Sequence, residues 1–480
     1  MSELAVRTTP IPGLLVLDLP VHGDARGWFK ENWQREKMLA AGLPDVGPVQ
    51  NNISYNQAVG VTRGIHAEPW DKYISVASGR VFGAWVDLRE GPSFGTAFWH
   101  EITPGVAVFV PRGVGNAFQT LEAPAAYTYL VNDHWSAAAQ AEYTFLHLAD
   151  ETAAIPWPIP LDQAELSAKD QQHPRLAEVV PVPPRRTLVL GGNGQLGRAL
   201  TSLWEERAEV DVVTRAELDL ADPESIEVFD FSPYGTIVNA AAHTAVDAAE
   251  TEQGRREAWA VNVSGVGRLV EAARAHRATL VHVSSDYVFD GAVELHHEHE
   301  PPSPLGVYGQ TKAAGEQLVR TLGDHYLVRT SWVIGDGRNF VATMADLAAR
   351  GIDPSVVEDQ IGRLTFTADL AAAIDHLLTA RPEPGTYHVT NEGEPLSWAD
   401  IAAEVYRLTG HDPVRVRPVT TAEYYAGTTG IAPRPAHSTL CLAKLRATGF
   451  TPRDQLDALA EHLGEQSVDR ERREAPAQTP

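Results

Sequence analysis

Tyr308 and Lys312 lie four residues apart in the run Tyr308-Gly309-Gln310-Thr311-Lys312, a spacing that puts both on one face of a helix. Hydride addition to a ketone leaves an alkoxide that needs a proton. A phenol donates poorly at neutral pH unless a nearby cation lowers its pKa, and that is the task this spacing gives Lys312. Ser285, just after the apolar run at 280–283, is placed to hydrogen-bond the carbonyl oxygen. Any one of these residues alone is more often structural. Serine, tyrosine and lysine in this order behind a glycine-rich turn form a reductase pattern.

That turn is Gly191-Gly192-Asn193-Gly194-Gln195-Leu196-Gly197. It follows the short apolar strand Leu188-Val189-Leu190 and opens a helix with Leu196, Leu200 and Leu203 at helical spacing. Gly191, Gly194 and Gly197 permit a tight turn and close backbone approach, so a pyrophosphate can sit at the helix N-terminus. Ala240, Ala241 and Ala242 end a later strand with side chains small enough for a cofactor to pack against, and Asp219-Leu220 stand where an adenine edge would be met. The second strand, near 210–214, ends in Thr214-Arg215. An acidic residue there grips a ribose 2′-hydroxyl, whereas Arg215 accommodates a 2′-phosphate. The expected cofactor is therefore NADP(H), with NAD(H) as the alternative.

Two different rhythms must position these groups. In the first half Phe82, Ala84, Val86 and Leu88 alternate with the period of a half-buried strand, as do Tyr127, Tyr129 and Val131. Breakers at short spacing, among them Gly91-Pro92, Pro104-Gly105 and Pro111-Arg112-Gly113, predict an all-β sandwich or barrel, for which a cupin-like jelly roll is one solution. Pro174, Pro181, Pro183 and Pro184 mark an extended linker, placed at 176–186 between a first domain over 1–175 and a second over 187–466. In the second, short apolar strands alternate with helix-like stretches. That predicts an α/β Rossmann domain with a parallel sheet, carrying a smaller substrate-binding subdomain. The polar stretch 467–480 is expected to be a disordered tail.

The motifs also carry a resemblance. Ser284-Ser285-Asp286-Tyr287-Val288-Phe289-Asp290-Gly291 with the tyrosine–lysine helix resembles the extended short-chain dehydrogenases. Arg329-Thr330-Ser331-Trp332, Asp359-Gln360-Ile361-Gly362 and Gly385-Thr386-Tyr387-His388 narrow it to the dTDP-4-dehydrorhamnose reductases, over nearly all of Thr187 to Leu463. The family often has threonine where this chain has Ser285, which keeps the hydroxyl. The resemblance implies that Ser285, Tyr308 and Lys312 are catalytic, that Gly194, Gln195 and Leu196 meet the cofactor, and that Ser285, Asp286 and Trp332 meet a sugar nucleotide.

The first half is similar to the dTDP-4-dehydrorhamnose 3,5-epimerases. The likeness rests on Asp24-Ala25-Arg26-Gly27-Trp28-Phe29-Lys30-Glu31, Gln50-Asn51-Asn52, Arg63-Gly64-Ile65-His66 and Leu166-Ser167-Ala168-Lys169-Asp170. Such a reaction needs a base to take a proton alpha to a ketone and an acid to return one on the opposite face. The resemblance implies His66 as base oriented by Asp170, Tyr129 as acid, and Lys72 at the enolate oxygen. It further implies Arg26, Glu31, Gln50, Asn52 and Arg63 as substrate contacts, the arginines at the diphosphate. The family commonly has a histidine where this chain has Asn116, so the sequence predicts no second histidine beside the dyad.

The composition bounds the rest. A formal charge of −24 argues against nucleic acid or an anionic membrane as partner, and no apolar run is long enough to span a bilayer. The single cysteine, Cys441, forms no intrachain disulfide. A cytoplasmic protein is expected, with a homodimer through the jelly-roll domain as an expected assembly. No metal ligand set is assigned. His66 with Glu68 lacks a third donor, and His296-His297-Glu298-His299-Glu300 reads as a polar loop; a divalent cation such as Mg2+ is left open. The expected function is 3,5-epimerisation of a dTDP-4-keto-6-deoxyglucose followed by NADPH-dependent reduction of carbon 4. The open alternatives are another nucleotide 4-keto sugar with a partial epimerase half, and a non-catalytic binding protein.

Overall fold

The computed structural model describes residues 4–474 apart from positions 45 and 138. The chain forms two compact units, Met1–Pro184 and Arg185–Pro480.

The first unit is built on a nine-stranded sheet whose centre is two long antiparallel strands, Lys72–Asp87 and Val114–Val131. The strand Lys72–Asp87 does not have the half-buried character its alternation predicts. Phe82, Ala84, Val86 and also Val81 and Trp85 are buried. The reason is packing on both faces: Val81 and Trp85 join one apolar cluster, while Phe82, Ala84 and Val86 join another. The strand Val114–Val131 carries two further neighbours. Thr62–Ala67 pairs with its first part, setting His66 opposite Asn116, and Gln50–Asn56 pairs with its last part, setting Asn52 opposite Tyr129. Gly64 makes the first pairing possible. It sits at φ +119°, and a Cβ there would meet the Asn116 carbonyl at 2.6 Å.

The second unit holds a six-stranded parallel sheet in the order Val210–Val213, Arg186–Leu190, Tyr234–Asn239, Thr279–Ser285, His325–Thr330, Gly385–His388. The order reverses between the first strand, Arg186–Leu190, and the third, so a crevice opens beyond their carboxyl ends. Separate apolar clusters include Leu269, Leu280 and Leu327 in one, Val281, Val328 and Leu370 in another. In the helix Gln195–Leu203, Leu200 is buried but Leu203 is exposed; Trp204 fills the core position instead. A third cluster, including Val341, Ile401, Val405 and Leu459, forms a smaller lobe beside the sheet.

The C-terminal helix runs Gln455–Glu474, so the stretch expected to be disordered is helical through Glu474. Its glutamates and arginines are good helix formers, a propensity that the composition argument neglected. Positions 475–480 lie outside the described residues. No helix among the described residues is long and apolar enough to cross a membrane.

Candidate active sites

In the first unit a cavity of about 510 Å³ is lined by Arg63, His66, Glu68, Lys72, Tyr129 and Asp170, among others. His66 reaches it from the strand Thr62–Ala67, and its Nε2 lies 3.0 Å from Asp170 Oδ1. Asp170 opens a short 3₁₀ turn, and its backbone N–H donates to Ser167 Oγ at 3.0 Å. Burial alone would raise the Asp170 carboxyl. The hydrogen bond and charge of His66, with help from Ser167 and His173, hold it below the usual value instead. Tyr129 is pushed up to about 12 by burial and by the Glu68 carboxylate, against the opposing charge of Arg63. The phenol therefore stays protonated at neutral pH. Lys72 is buried, bonded to Glu68 at 2.8 Å, with its Nζ 5.9 Å from the centre of the Tyr129 ring.

Four expected substrate contacts do not line this cavity: Arg26, Glu31, Gln50 and Asn52. Arg26 is exposed on the hairpin Val21–Asp24/Gly27–Lys30 and is paired with Asp24. Glu31 pairs with Lys37, and Gln50 Nε2 donates to Asn52 Oδ1 at 2.9 Å. In each case a near neighbour takes up the polar group.

The prediction that no second histidine stands beside the dyad fails. His173 supplies one, with its ring 5.3 Å from that of His66. Asn116 instead accepts a hydrogen bond from the Tyr127 hydroxyl at 3.1 Å. Sequence reading passed over His173 because the only signal is its place three residues after Asp170. Glu68 was weighed only as a metal ligand, yet it is the partner of both Lys72 and the Trp70 indole.

In the second unit a larger cavity, about 1060 Å³, lies along the crevice. It brings together Gly191, Gly194, Gln195, Leu196, Arg215, Asp219, Leu220, Ala240, Ala241 and Ala242 with Ser285, Asp286, Tyr308, Lys312 and Trp332. Gly197 is the exception. It packs inside the turn, where a Cβ would meet the Gly191 carbonyl oxygen at 2.2 Å. A Cβ on Gly191 would fall 2.9 Å from the Ala241 nitrogen, so the glycine turn and the alanine run are in close contact. This bare backbone cradle at a helix N-terminus fits the diphosphate of a dinucleotide. Arg215 is mostly exposed and pairs with Asp219 at 3.0 Å.

Tyr308 and Lys312 share the helix Val307–Val319, as their spacing predicts. Their electrostatics differ from the expectation. Burial, with the Asp286 carboxylate adding, pushes the Tyr308 phenol up to about 12, and a hydrogen bond with Ser285 pulls only weakly the other way. Lys312 is itself brought down to about 8 by burial, with Glu316 opposing. Its Nζ donates to the Val283 carbonyl at 2.8 Å and lies 3.3 Å from His282 Nε2. Ser285 Oγ donates to Asp286 Oδ1 at 2.8 Å. Burial raises the Asp286 carboxyl to about 6, against the hydrogen bonds of Ser438 and Ser285.

Several contributors went unread. Buried Asn262 accepts from the His243 backbone at 2.9 Å and donates to Thr311 at 3.0 Å, tying the turn after the alanine run to the helix that carries Tyr308 and Lys312. Trp398 stacks on Trp332 at 3.8 Å, and Arg338 reaches the cavity from the loop after Trp332. No local pattern marks these. The histidine-rich stretch is irregular, as expected, but His296 within it is buried. Its Nδ1 pairs with Glu300 and its Nε2 faces the His437 carbonyl, so both nitrogens are in structural use.

A family model described as dTDP-4-dehydrorhamnose 3,5-epimerase matches residues 8–178, and one described as RmlD substrate binding domain matches 185–468. The first unit is similar to a protein from Streptococcus pyogenes called an RmlC homolog, 51% identical over 36% of this chain and 90% of that protein. The second is similar to a dTDP-4-dehydrorhamnose reductase from Streptomyces griseus, 42% identical over 57% of this chain and 90% of the relative. It is also similar to the crystal structure of a Bacillus anthracis dTDP-4-dehydrorhamnose reductase in complex with NADP. That match has a TM-score of 0.54 and 34% identity, covering 59% of this chain and 99% of that one.

Proposed function

The chain belongs to the dTDP-4-dehydrorhamnose 3,5-epimerase family over its first unit and to the RmlD substrate binding domain family over its second, and on that footing we propose how its residues run two consecutive steps toward dTDP-L-rhamnose. The substrate is dTDP-4-dehydro-6-deoxy-D-glucose. The first unit, read as a jelly roll, inverts carbons 3 and 5; the second, read as a Rossmann domain, reduces carbon 4. The observation that carries the reading is that each unit gathers its own acid–base set into its own cavity.

In the first unit His66 takes the proton alpha to the ketone. With Nε2 bonded to Asp170, Nδ1 carries the free lone pair, and the carboxylate stabilises the imidazolium that forms. Tyr129 returns a proton on the opposite face. Lys72, held by Glu68, supports the negative charge on the enolate oxygen, and Arg63 meets the diphosphate.

In the second unit the glycine turn, Arg215 and the alanine run would hold NADP(H), which supplies the hydride when bound. Tyr308 protonates the developing alkoxide, Ser285 orients the carbonyl, and Lys312 adds positive charge behind them. Asp286 and Trp332 contact the sugar nucleotide. A cytoplasmic location is part of this reading, as is a homodimer through the first unit. Exposed Trp28, Phe29, Ile53 and Tyr55 on the hairpin and the strand Gln50–Asn56 support that assembly.

Two substitutions test the assignment. Tyr308→Phe keeps the ring but removes the proton donor, so reduction should fall about 10²–10⁴-fold while exchange of the carbon 3 and carbon 5 protons with deuterated water persists. His66→Ala should abolish that exchange while pre-epimerised substrate is still reduced. Loss of both activities in either variant would overturn the division of labour.

A further inference from the structure

Behind the His66–Asp170 pair stands a third ligand-type side chain that the proposed reaction does not use. His173 is 9% exposed, and neither of its ring nitrogens has a hydrogen-bond partner. Buried polar groups are ordinarily satisfied, so two idle nitrogens call for an explanation. His173 Nε2 lies 3.9 Å from Asp170 Oδ1, its ring meets His66 edge-on, and Phe145 stacks against it at 4.7 Å. Ligand atoms of His66, Asp170 and His173 all lie within 4.8 Å of one another.

We propose that His66, Asp170 and His173 bind a divalent transition-metal ion such as Zn2+, and that the bound ion reversibly switches off the epimerase base. The binding stands on this geometry alone; the inhibition rests on His66 being the base. Two imidazoles and one carboxylate form a donor set that suits zinc better than Mg2+, which prefers an all-oxygen shell. Bonds of about 2.0–2.2 Å put two ligands of one ion about 3–4 Å apart. The 3.0 and 3.9 Å separations from Asp170 fall in that window. His66 and Asp170 both face the cavity, which leaves room for a water as a further ligand.

Inhibition follows from the tautomer. Without an ion, the Nε2–H of His66 donates to Asp170 and Nδ1 keeps the lone pair that accepts the substrate proton. An ion on Nε2 needs a lone pair there, so the single proton of the neutral ring leaves Nε2 and sits on Nδ1, occupying the lone pair that the reaction uses. The base is then blocked without any change of fold, and removing the ion restores it. Nothing in the second unit is touched.

The test uses the full chain, with exposed His297 and His299 both changed to Gln so that this separate pair contributes no ion. Chelator-treated protein is dialysed against micromolar Zn2+ and its ion content measured; Co2+ serves as a spectroscopic probe of nitrogen coordination. One ion per chain is expected, falling to none in His173→Gln. Deuterium exchange at carbons 3 and 5 should drop at least tenfold with Zn2+ and return with EDTA, while reduction of pre-epimerised substrate in the same sample stays unchanged. In His173→Gln, metal-free exchange should persist, and inhibition should need at least tenfold more Zn2+. Absence of bound ion in the parent, or equal zinc sensitivity in His173→Gln, would overturn the proposal. Should His173→Gln fail to fold, the ion count and the Co2+ spectrum of the parent still decide. If metal-free parent shows no exchange, the epimerase reading fails, and the ion count decides the site separately.

Discussion

Gly197→Ala separates local propensity from packing, because the two predict opposite signs. Gly197 lies inside the helix Gln195–Leu203, where alanine is favoured over glycine by about 0.5–1 kcal/mol. On propensity alone the variant should be more stable. The added methyl, however, would stand 2.2 Å from the Gly191 carbonyl oxygen and 2.8 Å from both the Gly191 carbonyl carbon and the Gly192 Cα. All three are backbone atoms of the turn itself, so no side chain can swing aside. Reaching ordinary contact requires the turn to move by about 1 Å, and a displacement of that size at a positioning element costs about 10²-fold. NADPH titration by fluorescence and steady-state reduction of pre-epimerised substrate would measure it. We expect kcat/KM for NADPH to fall about 10²-fold and proton exchange by the first unit to be unchanged. Unaltered cofactor kinetics with a raised Tm would show that the turn is compliant and that the argument from contact is wrong.

Two further perturbations probe the second unit. Arg329→Met should cost about 2–4 kcal/mol, somewhat less than a fully stranded buried charge, because the wholly buried Glu316 carboxylate loses its closest cation and keeps only Ser284 Oγ at 2.7 Å and Arg320 at 3.6 Å. Denaturant unfolding would measure this, and Arg329→Met/Glu316→Leu should recover much of the loss; a single variant within 1 kcal/mol of the parent would refute it. The second concerns pH. Lys312 is brought down to about 8, so it is an ammonium below that pH and neutral above, and the help it gives the alkoxide is present at low pH and lost as pH rises. The kcat/KM for reduction of pre-epimerised substrate should therefore fall above about pH 8, whereas a profile flat to pH 10 would show that this charge is not required.

The legible part of both sites was the part written locally. The tyrosine–lysine spacing and the glycine turn each lie within one stretch of chain, and the residues they single out, Gly197 apart, line the cavity in the second unit. Leu203 shows the limit of such patterns: its spacing is helical, yet Trp204 takes the core position. Long-range partners were illegible for a plain reason. His66 meets Asp170 across 104 positions, and Trp398 meets Trp332 only after the chain has left the sheet and returned. The resemblance supplied the first pairing but not His173, Asn262 or Arg338. Arg26, Glu31, Gln50 and Asn52, which the motifs suggest as substrate contacts, lie outside the cavity lining of the first unit.

Under the proposed assignment of roles, the two cavities solve one chemical problem in the same way. Each must hand a proton to an anion that exists only during reaction, and each keeps a buried phenol at about 12 rather than an acidified one. A phenol lowered toward neutrality would lose its proton to solvent between turnovers and arrive at the substrate as an anion. Burial prevents this, and the nearby cation is then free for another task. Lys72 is fixed by Glu68, and Lys312 by the Val283 carbonyl, so neither ammonium is spent on its tyrosine in the resting protein. Their charge becomes useful when the substrate oxygen turns negative, since a fixed charge stabilises an anion most where water is excluded. On this view the i, i+4 spacing of Tyr308 and Lys312 matters less for the acidity of the phenol than for delivering donor and cation to the same oxygen. The first unit achieves that without any shared helix, from the antiparallel pairing that sets Val131 opposite Lys72 and Tyr129 opposite Ile74.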